Sequence, residues 1–450
     1  MNKKIITLLF VATVCTAAHA FKTKGDGTTY SLATLCSQEE AGISCSTAIG
    51  HPTYILTLND TIAEGDKFVM DDGVDVQFGA NVTFVIEGEA DFRLTIGSVF
   101  EPGTDDRPLG AALRIKSKTT IEMENCFFNY VGLELMGEGA TNIRHCRFNR
   151  HDGSSAAALY FISAGAASTI EDCDFIECQK AAIGSAANAS QPLTIKNCTL
   201  IRNSAANGNI PQINVTASDK LVIEGCTVTG NPENTMVGGI GISNFMGYDA
   251  DVLISGCTIE DNRYGIGLVG PANHIRIENC TLLNNCHETN PMNGGSGISL
   301  YDPYGMTNAY ISGNHIENSL WGVTIIGCKA VNLGCLDKSD DYNPGGNTFK
   351  DNGNNGQLYD LYNNSTLTVY AQGNTWNVSE QTEEQIETVI YHKHDDASLG
   401  EVIFWPAAGT EAVSTLSKPS ADTPAYDLSG RRIGTNQRGL RIQHGKKIVR

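Results

Sequence analysis

Apolar residues recur along this chain in short alternating runs, bounded by glycine, asparagine and aspartate. Leu193 and Ile195, Leu253 and Ile254, and Ile275 and Ile277 each precede a recurring motif. Gly239-Ile240-Gly241-Ile242, Gly265-Ile266-Gly267-Leu268, Gly297-Ile298-Ser299-Leu300 and Gly322-Val323-Thr324-Ile325 form a second set. A period of two in runs this short predicts strands, with one set of side chains facing a core.

The motif between the runs is a cysteine followed by a polar and then an apolar residue. It is centred on Cys126, Cys146, Cys173, Cys198, Cys226, Cys257 and Cys280, and continues with asparagine at Asn314, Asn347 and Asn374. These ten positions span 126–374 at a mean spacing of about 28 residues, a period that predicts a solenoid of stacked coils. One coil of three strands cannot bury its apolar face alone, but a stack can. Equivalent residues then form ladders along the axis, with cysteine as a small apolar filler and asparagine as a self-pairing amide. A second polar slot lies five residues on, at Cys178, Asn203, Asn231, Asn262, Asn285 and Asn352. The cysteines lack C-x-x-C metal spacing, so inert packed thiols are expected and no metal site. Excluding Cys15 leaves thirteen cysteines, an odd number. Cys36 with Cys45 and Cys328 with Cys335 are candidate disulfides, with the pairing left open.

The repeat resembles that of the right-handed parallel β-helix proteins of the pectate-lyase-like superfamily, over roughly residues 50–406. The resemblance implies an all-β fold: a single-stranded parallel β-helix with three strands per coil, an N-terminal cap, a short C-terminal helix and strand as closure, and a small β tail. Residues 21–110 are expected to hold the cap and first coils, with 28–45 as the cover, and 111–406 the repeats and closure. Ser379 is the expected N-cap of a helix over 380–391. The stretch Gly373 to Pro406 resembles a closing segment of bacterial β-helix proteins, which makes Asp395 and Asp396 structural.

The ends carry different signals. Residues 1–20 read as a secretory signal, with Lys3-Lys4, an apolar run and Ala18-His19-Ala20 before Phe21. Residues 407–424 suit a linker. Residues 425–450 resemble the C-terminal sorting tail of type IX secretion substrates of Bacteroidetes, through Tyr426-Asp427-Leu428-Ser429-Gly430-Arg431-Arg432, Gly439-Leu440 with Ile442, and Gly445-Lys446-Lys447. That resemblance implies engagement of outer-membrane secretion machinery, then release or surface attachment. The expected location is extracellular or on the outer cell surface.

Charge narrows the partners. The stretch 21–424 carries 22 basic and 49 acidic residues, a net of −27. A body this acidic repels nucleic acid and anionic membrane. Neither the P-loop, H-E-x-x-H nor G-x-S-x-G motif is present. Gly265 to Gly270 mimics a phosphate loop but lies inside a β repeat, so that reading is rejected.

Three places are candidates for chemistry. Gly241, Gly267, Ser299 and Thr324 take the outward slots of the glycine-bounded strand and would leave a trough. Tyr248, Asp249, Asp251, Tyr301, Asp302 and Tyr304 follow in adjoining loops, where aromatic rings beside carboxylates suit sugars. The cluster of Arg144, His145, Arg147, Arg150 and His151 with Asp152 would hold an acidic sugar or supply a base, or else be a solvated turn. Asp71, Asp72 and Asp75, or Asp337, Asp340 and Asp341, would serve as hydrolytic carboxylates, a Ca²⁺ site or plain solubilising charge. No catalytic residue is assigned. The expectation is a monomeric secreted or surface protein that engages polysaccharide or surface glycan, as a lyase or glycoside hydrolase; the alternative is a non-catalytic adhesin or scaffold.

Overall fold

The computed structural model describes residues 20–47, 50–103, 105, 107–217, 219–337 and 341–410, and the backbone of 425–426, 432–433, 440–443 and 446–449. Residues 1–19, Asp340 and 411–424 lie outside the described residues, and with them almost all of the expected signal and most of the linker.

The chain up to Ala408 forms one unit, a right-handed parallel β-helix. Each repeat supplies three strands. Thr141–Arg144, Arg147–Asn149 and Ala157–Phe161 are one such set. The first two strands of a coil join a 25-stranded sheet, parallel except where Ile43–Ser46 pairs antiparallel with Thr53–Leu56, and the third joins a 13-stranded sheet. Parallel pairing keeps its register through the central coils, where Ile143 meets Ile170, Phe148 meets Phe175, and Leu159 meets Ile183, and shifts between Glu124 and Cys126 and between Asn332 and Gly334. The rise per coil is visible in Phe100, Phe128, Phe148 and Phe175, whose rings stack at 4.6, 4.7 and 4.8 Å. That is the spacing of neighbouring strands, which forces like residues into contact.

The register also corrects one pairing of apolar residues. Val252 and Ile254 face the core, and Leu253 between them faces out.

The seven motif cysteines are buried free thiols. Each sulfhydryl lies against a backbone carbonyl two residues back, as Cys173 Sγ does with Glu171 O at 3.2 Å. Burial pushes the Cys146 thiol well up, so it stays protonated and inert. Above Cys280 the column becomes amide. Asn314 Oδ1 accepts the Cys280 N–H at 2.9 Å, Asn347 Oδ1 accepts that of Asn314 at 3.1 Å, and Asn374 Oδ1 that of Asn347 at 2.9 Å.

The second polar column, five residues on, departs from expectation at one coil. Cys178, Asn203, Asn262, Asn285 and Asn352 occupy it, but Asn231 does not. In most coils the preceding residue turns left-handed, as at Arg202 and Asp261. Gly230 does not, so the chain leaves the coil early and Asn231 swings outward. Gln212 reaches into the vacated slot from the next strand. It accepts the Asn203 N–H at 3.0 Å and donates to Asn262 Oδ1 at 3.0 Å.

The ends are covered. Leu32–Cys36 is a helix capped by Ser31, and Leu32 and Leu35 are buried. Cys36 and Cys45 are joined by a disulfide with Cα atoms 6.0 Å apart. Cys328 and Cys335 are both free. The extended strand Ala330–Gly334 lies between them, and an extended chain separates Cα atoms by about 3.3 Å per residue, well beyond disulfide reach. At the other end the helix is shorter than expected, Glu383–Glu387, and Thr382 rather than Ser379 caps it. Asp395 Oδ2 accepts the His392 N–H and Asp396 Oδ1 the Ser398 N–H, so both brace the closing turn.

A second unit comprises residues 409–450. Its described strands, Ala425–Tyr426, Arg432–Ile433, Leu440–Gln443 and Lys446–Val449, pair antiparallel.

Candidate functional site

The outer face of the 13-stranded sheet is set by register alone. Its outward column reads Arg114, Glu134, Tyr160, Gly184, Asn214, Gly241, Gly267, Ser299, Thr324, Tyr362 and Tyr391. Six small or short side chains, Gly184 to Thr324, are therefore flanked by larger ones. At a strand spacing of about 4.8 Å the low stretch is about 24 Å long. Part of it is a cavity of about 560 Å³ lined by Asn214, Gly241, Gly267, Ser299 and Tyr301.

The trough is not bare. Tyr264 lies across its middle. A Cβ on Gly267 would stand 3.0 Å from Tyr264 Cε2, and one on Gly241 3.3 Å from its hydroxyl. Gly238 packs on the ring more closely than either, so Gly238, Gly241 and Gly267 together leave the room the ring occupies. Burial pushes the Tyr264 hydroxyl up to about 12, so it remains a neutral hydrogen-bonding group. The Arg263 guanidinium stands 6.0 Å from the ring centroid and is held by Asn209 and the Met236 and Asn293 carbonyls. At the far end Trp321 packs on Tyr359 and Tyr362 at 4.8 and 5.2 Å, and Tyr362 meets Tyr391 edge-on.

The loop residues expected to rim the trough divide. Tyr301 lines it, and Phe245, which sequence reasoning passed over, lines it too and is 72% exposed. Tyr304 is exposed in the next loop, and Asp249 is exposed off the lining. Tyr248 is half-buried, with its backbone N–H and carbonyl bonded to the Asn244 amide. Asp302 is not available to a ligand. It is buried, and its carboxylate accepts from Tyr304 N, Met306 N, Thr307 N and Thr307 Oγ1. Burial opposes its charge, yet these donors hold its carboxyl below the usual range.

The basic cluster also divides, because successive residues of a coil point in different directions. Arg144 pairs with Glu171 and Arg147 bonds Asn149, both on the outside of the larger sheet. His151 points inward. It fills the same slot as Cys178 and Asn203 and is 1% exposed, and neither ring nitrogen has a partner. Its neighbours in the column, Val131 and Cys178, offer it little hydrogen bonding. Burial, with the Lys180 charge nearby, pushes its pKa down to about 4, so the ring is neutral.

Of the cluster, Arg150 and Asp152 reach a cleft of about 1010 Å³. Four consecutive coils place Tyr130, Arg150, Glu177 and Arg202 there, one above another. Glu177 bridges Arg150 at 3.2 Å and Arg202 at 2.6 Å. Arg107 lies 4.1 Å over the Tyr130 ring and pairs with Asp152 at 3.3 Å. Burial raises the Asp152 carboxyl, against the opposing pull of the Leu109 N–H and Arg107.

Of the acidic groups read as cation sites, the set Asp71, Asp72 and Asp75 is engaged elsewhere. Asp72 accepts from Thr95 N, Thr95 Oγ1, Ile96 N and Gly97 N, Asp71 accepts the Ala33 N–H, and Asp75 faces His51. Glu387, His392 and His394 converge near the C-terminal closure, both rings 2.8 Å from Glu387 Oε1. His392 Nδ1 accepts the Val402 N–H at 2.9 Å. Its Nε2 must therefore carry the proton that it shares with Glu387, which leaves no lone pair for a cation.

A family model described as a right handed beta helix region matches residues 72–211 and 105–244. No curated protein matches the chain. Among solved structures, a mutant of the periplasmic alginate epimerase AlgG is 10% identical, with 84% of this chain and 83% of that chain covered and a TM-score of 0.46. The parent AlgG structure is 9% identical over the same shares with a TM-score of 0.39. No helix among the described residues is long and apolar enough to cross a membrane. The coil topology and the matched repeat region together establish this chain as a right-handed parallel β-helix.

Proposed function

We propose that this β-helix is an exported glycan-binding protein whose ligand lies along the trough. The observation that carries this reading is the Tyr264 ring, seated in the trough against Gly238, Gly241 and Gly267, with Phe245 and Tyr301 in the same lining. Sugar rings have apolar faces and hydroxyl edges, and aromatic rings with Asn214, Ser299 and Asn293 alongside match both. The trough's length suits a chain of sugars over a single one.

The lining supports binding without cleavage, the adhesin or scaffold form of this function. Hydrolysis by the common route needs two carboxylates about 5–10 Å apart. The described lining holds one charged side chain, Arg263, and no carboxylate. The disulfide of Cys36 and Cys45 supports export, since such bonds persist in oxidising compartments. Passage through outer-membrane machinery by way of residues 425–450, with extracellular or surface display, is part of the same proposal.

Titration with a length series of neutral oligosaccharides tests it. Affinity should rise with length and level off when the trough is filled. Tyr301→Ala and Phe245→Ala should each weaken binding about tenfold with unchanged melting. Shortened products would move the reading to an enzyme, and absence of binding across the series would overturn it.

A further inference from the structure

We propose that the cleft beside Arg150 is a second ligand site, separate from the trough, that takes a saccharide through an oxyanion, a carboxylate or a sulfate. Three observations bear on it.

The first is backbone strain in one row. The residue four after each motif position turns left-handed in eight coils. In the later coils it is Asp261, Asn284, Asn318 and Asp351, residue types that tolerate this conformation. In the four coils facing the cleft it is Tyr130, Arg150, Glu177 and Arg202, with φ between 51° and 63°. Such residues are strained in this conformation, and asparagine would largely relieve the strain. A fold optimised for its coil alone would not gather all four along one cleft.

The second is charge. Arg107 and Asp152 neutralise one another, as do Glu177 and one of its two arginines. One arginine and Lys180 remain, a surplus of two positive charges in a body of net −27. Arg150 and Arg202 stand two coils apart, about 10 Å, with Glu177 fixing both guanidinium groups. A fixed, forked donor pair favours oxyanions. The hydroxyl and amides of Ser154, Gln179 and Asn231 on the same wall suit the hydroxyls of a sugar.

The third is the wall itself. Gly153 lines the cleft, and a Cβ there would stand 2.9 Å from His151 Nε2. The wall is thus one backbone thick, and the neutral buried ring behind it adds no competing anion.

The test compares a uronic-acid oligosaccharide, a sulfated one and a neutral one of equal length, by calorimetry on the whole protein. At least one acidic ligand should bind about tenfold tighter than the neutral one, and should weaken in about 0.5 M salt. The stronger of the two acidic ligands identifies the oxyanion. The double variant Arg150→Asn/Arg202→Asn should lose that preference while its melting temperature stays level or rises, because asparagine suits the left-handed turn. Tyr301→Ala should leave the acidic preference intact, which separates this site from the trough. Equal binding of neutral and acidic ligands, or an acidic preference that survives the double variant, would overturn the proposal.

Discussion

Gln212 Nε2 donates to Asn262 Oδ1 at 3.0 Å, joining residues fifty apart in sequence inside the coil. The same amide donates to Thr229 O at 2.9 Å and its oxygen accepts two N–H groups of Asn203. One side chain thus bridges a coil that contributes no amide of its own to this column. Gln212→Ala would strand buried donors on Asn203 and leave Asn262 under-bonded, at a cost of about 2–4 kcal/mol. Asn231→Ala, at the position that matches the repeat, should cost under about 1 kcal/mol. Urea unfolding of the two variants checks the order, and equal losses would contradict the bridge.

The unpartnered His151 follows from what sits next to it. In this column Asn203 Oδ1 accepts the backbone N–H of Cys178, and Asn203 Nδ2 donates to Phe175 O. Cys178 makes long sulfur contacts, 3.8 Å each, to the corresponding Phe148 O and to Ile176 O. Cys178→Asn would place an amide where the column's rule asks for one, with Oδ1 toward the coil of His151. The expected gain is about 1 kcal/mol in denaturant unfolding. A loss above that size would mean the slot is too small for the amide.

Two buried groups link stability to pH with opposite signs. His151 has a folded pKa of about 4, below its ordinary 6.5, so its contribution is present at neutral pH and is lost as pH falls from about 6.5 to 4. Asp360 is buried between the Asn352 amide and the Asn377 N–H, and burial raises its carboxyl to about 7. Its contribution is present near pH 4 and is lost as pH rises to about 7. Each spans on the order of 3–4 kcal/mol, so in the wild type the two largely cancel between pH 4.5 and 6. His151→Asn should therefore make stability rise on acidification across that window. Asp360→Asn should make it fall. Parallel slopes in the two variants would refute the assignment.

The coil was legible because its core positions repeat. A period of two within strands and of about 28 between coils leaves little freedom for Phe128, Phe148 and Phe175 or for the cysteine column. Outward and turn positions answer to neighbours that are distant in sequence. Leu253 took an inward reading because its run holds three adjacent apolar residues. Asp302 looked like a sugar ligand because its four donors are backbone and hydroxyl groups that composition does not reveal. His151 and Arg150 are adjacent, yet the left-handed turn at Arg150 sends one outward and the other into the core. Tyr264 carries no local sequence signal of its own. The available signal was the outward glycine pair at 241 and 267, read as empty space when those glycines in fact accommodate a ring.

That accommodation gives the sharpest test of the trough. Gly267 is paired in register with Gly241 and Ser299, so its outward direction is fixed by the sheet. A valine there would keep the strand, since β-branched residues suit the pleat. Its Cβ alone would approach Tyr264 Cε2 to 3.0 Å, and the two methyl groups extend further into the space the ring occupies. The ring must then shift from its seat while the inward Ile266 and Leu268 remain buried. Gly267→Val should therefore fold with melting within a few degrees of wild type and bind neutral oligosaccharide about tenfold more weakly. Tyr264→Phe, which keeps the ring and removes only the hydroxyl, should lose little. If Gly267→Val binds as well as the parent, the Tyr264 ring is not what the sugar meets.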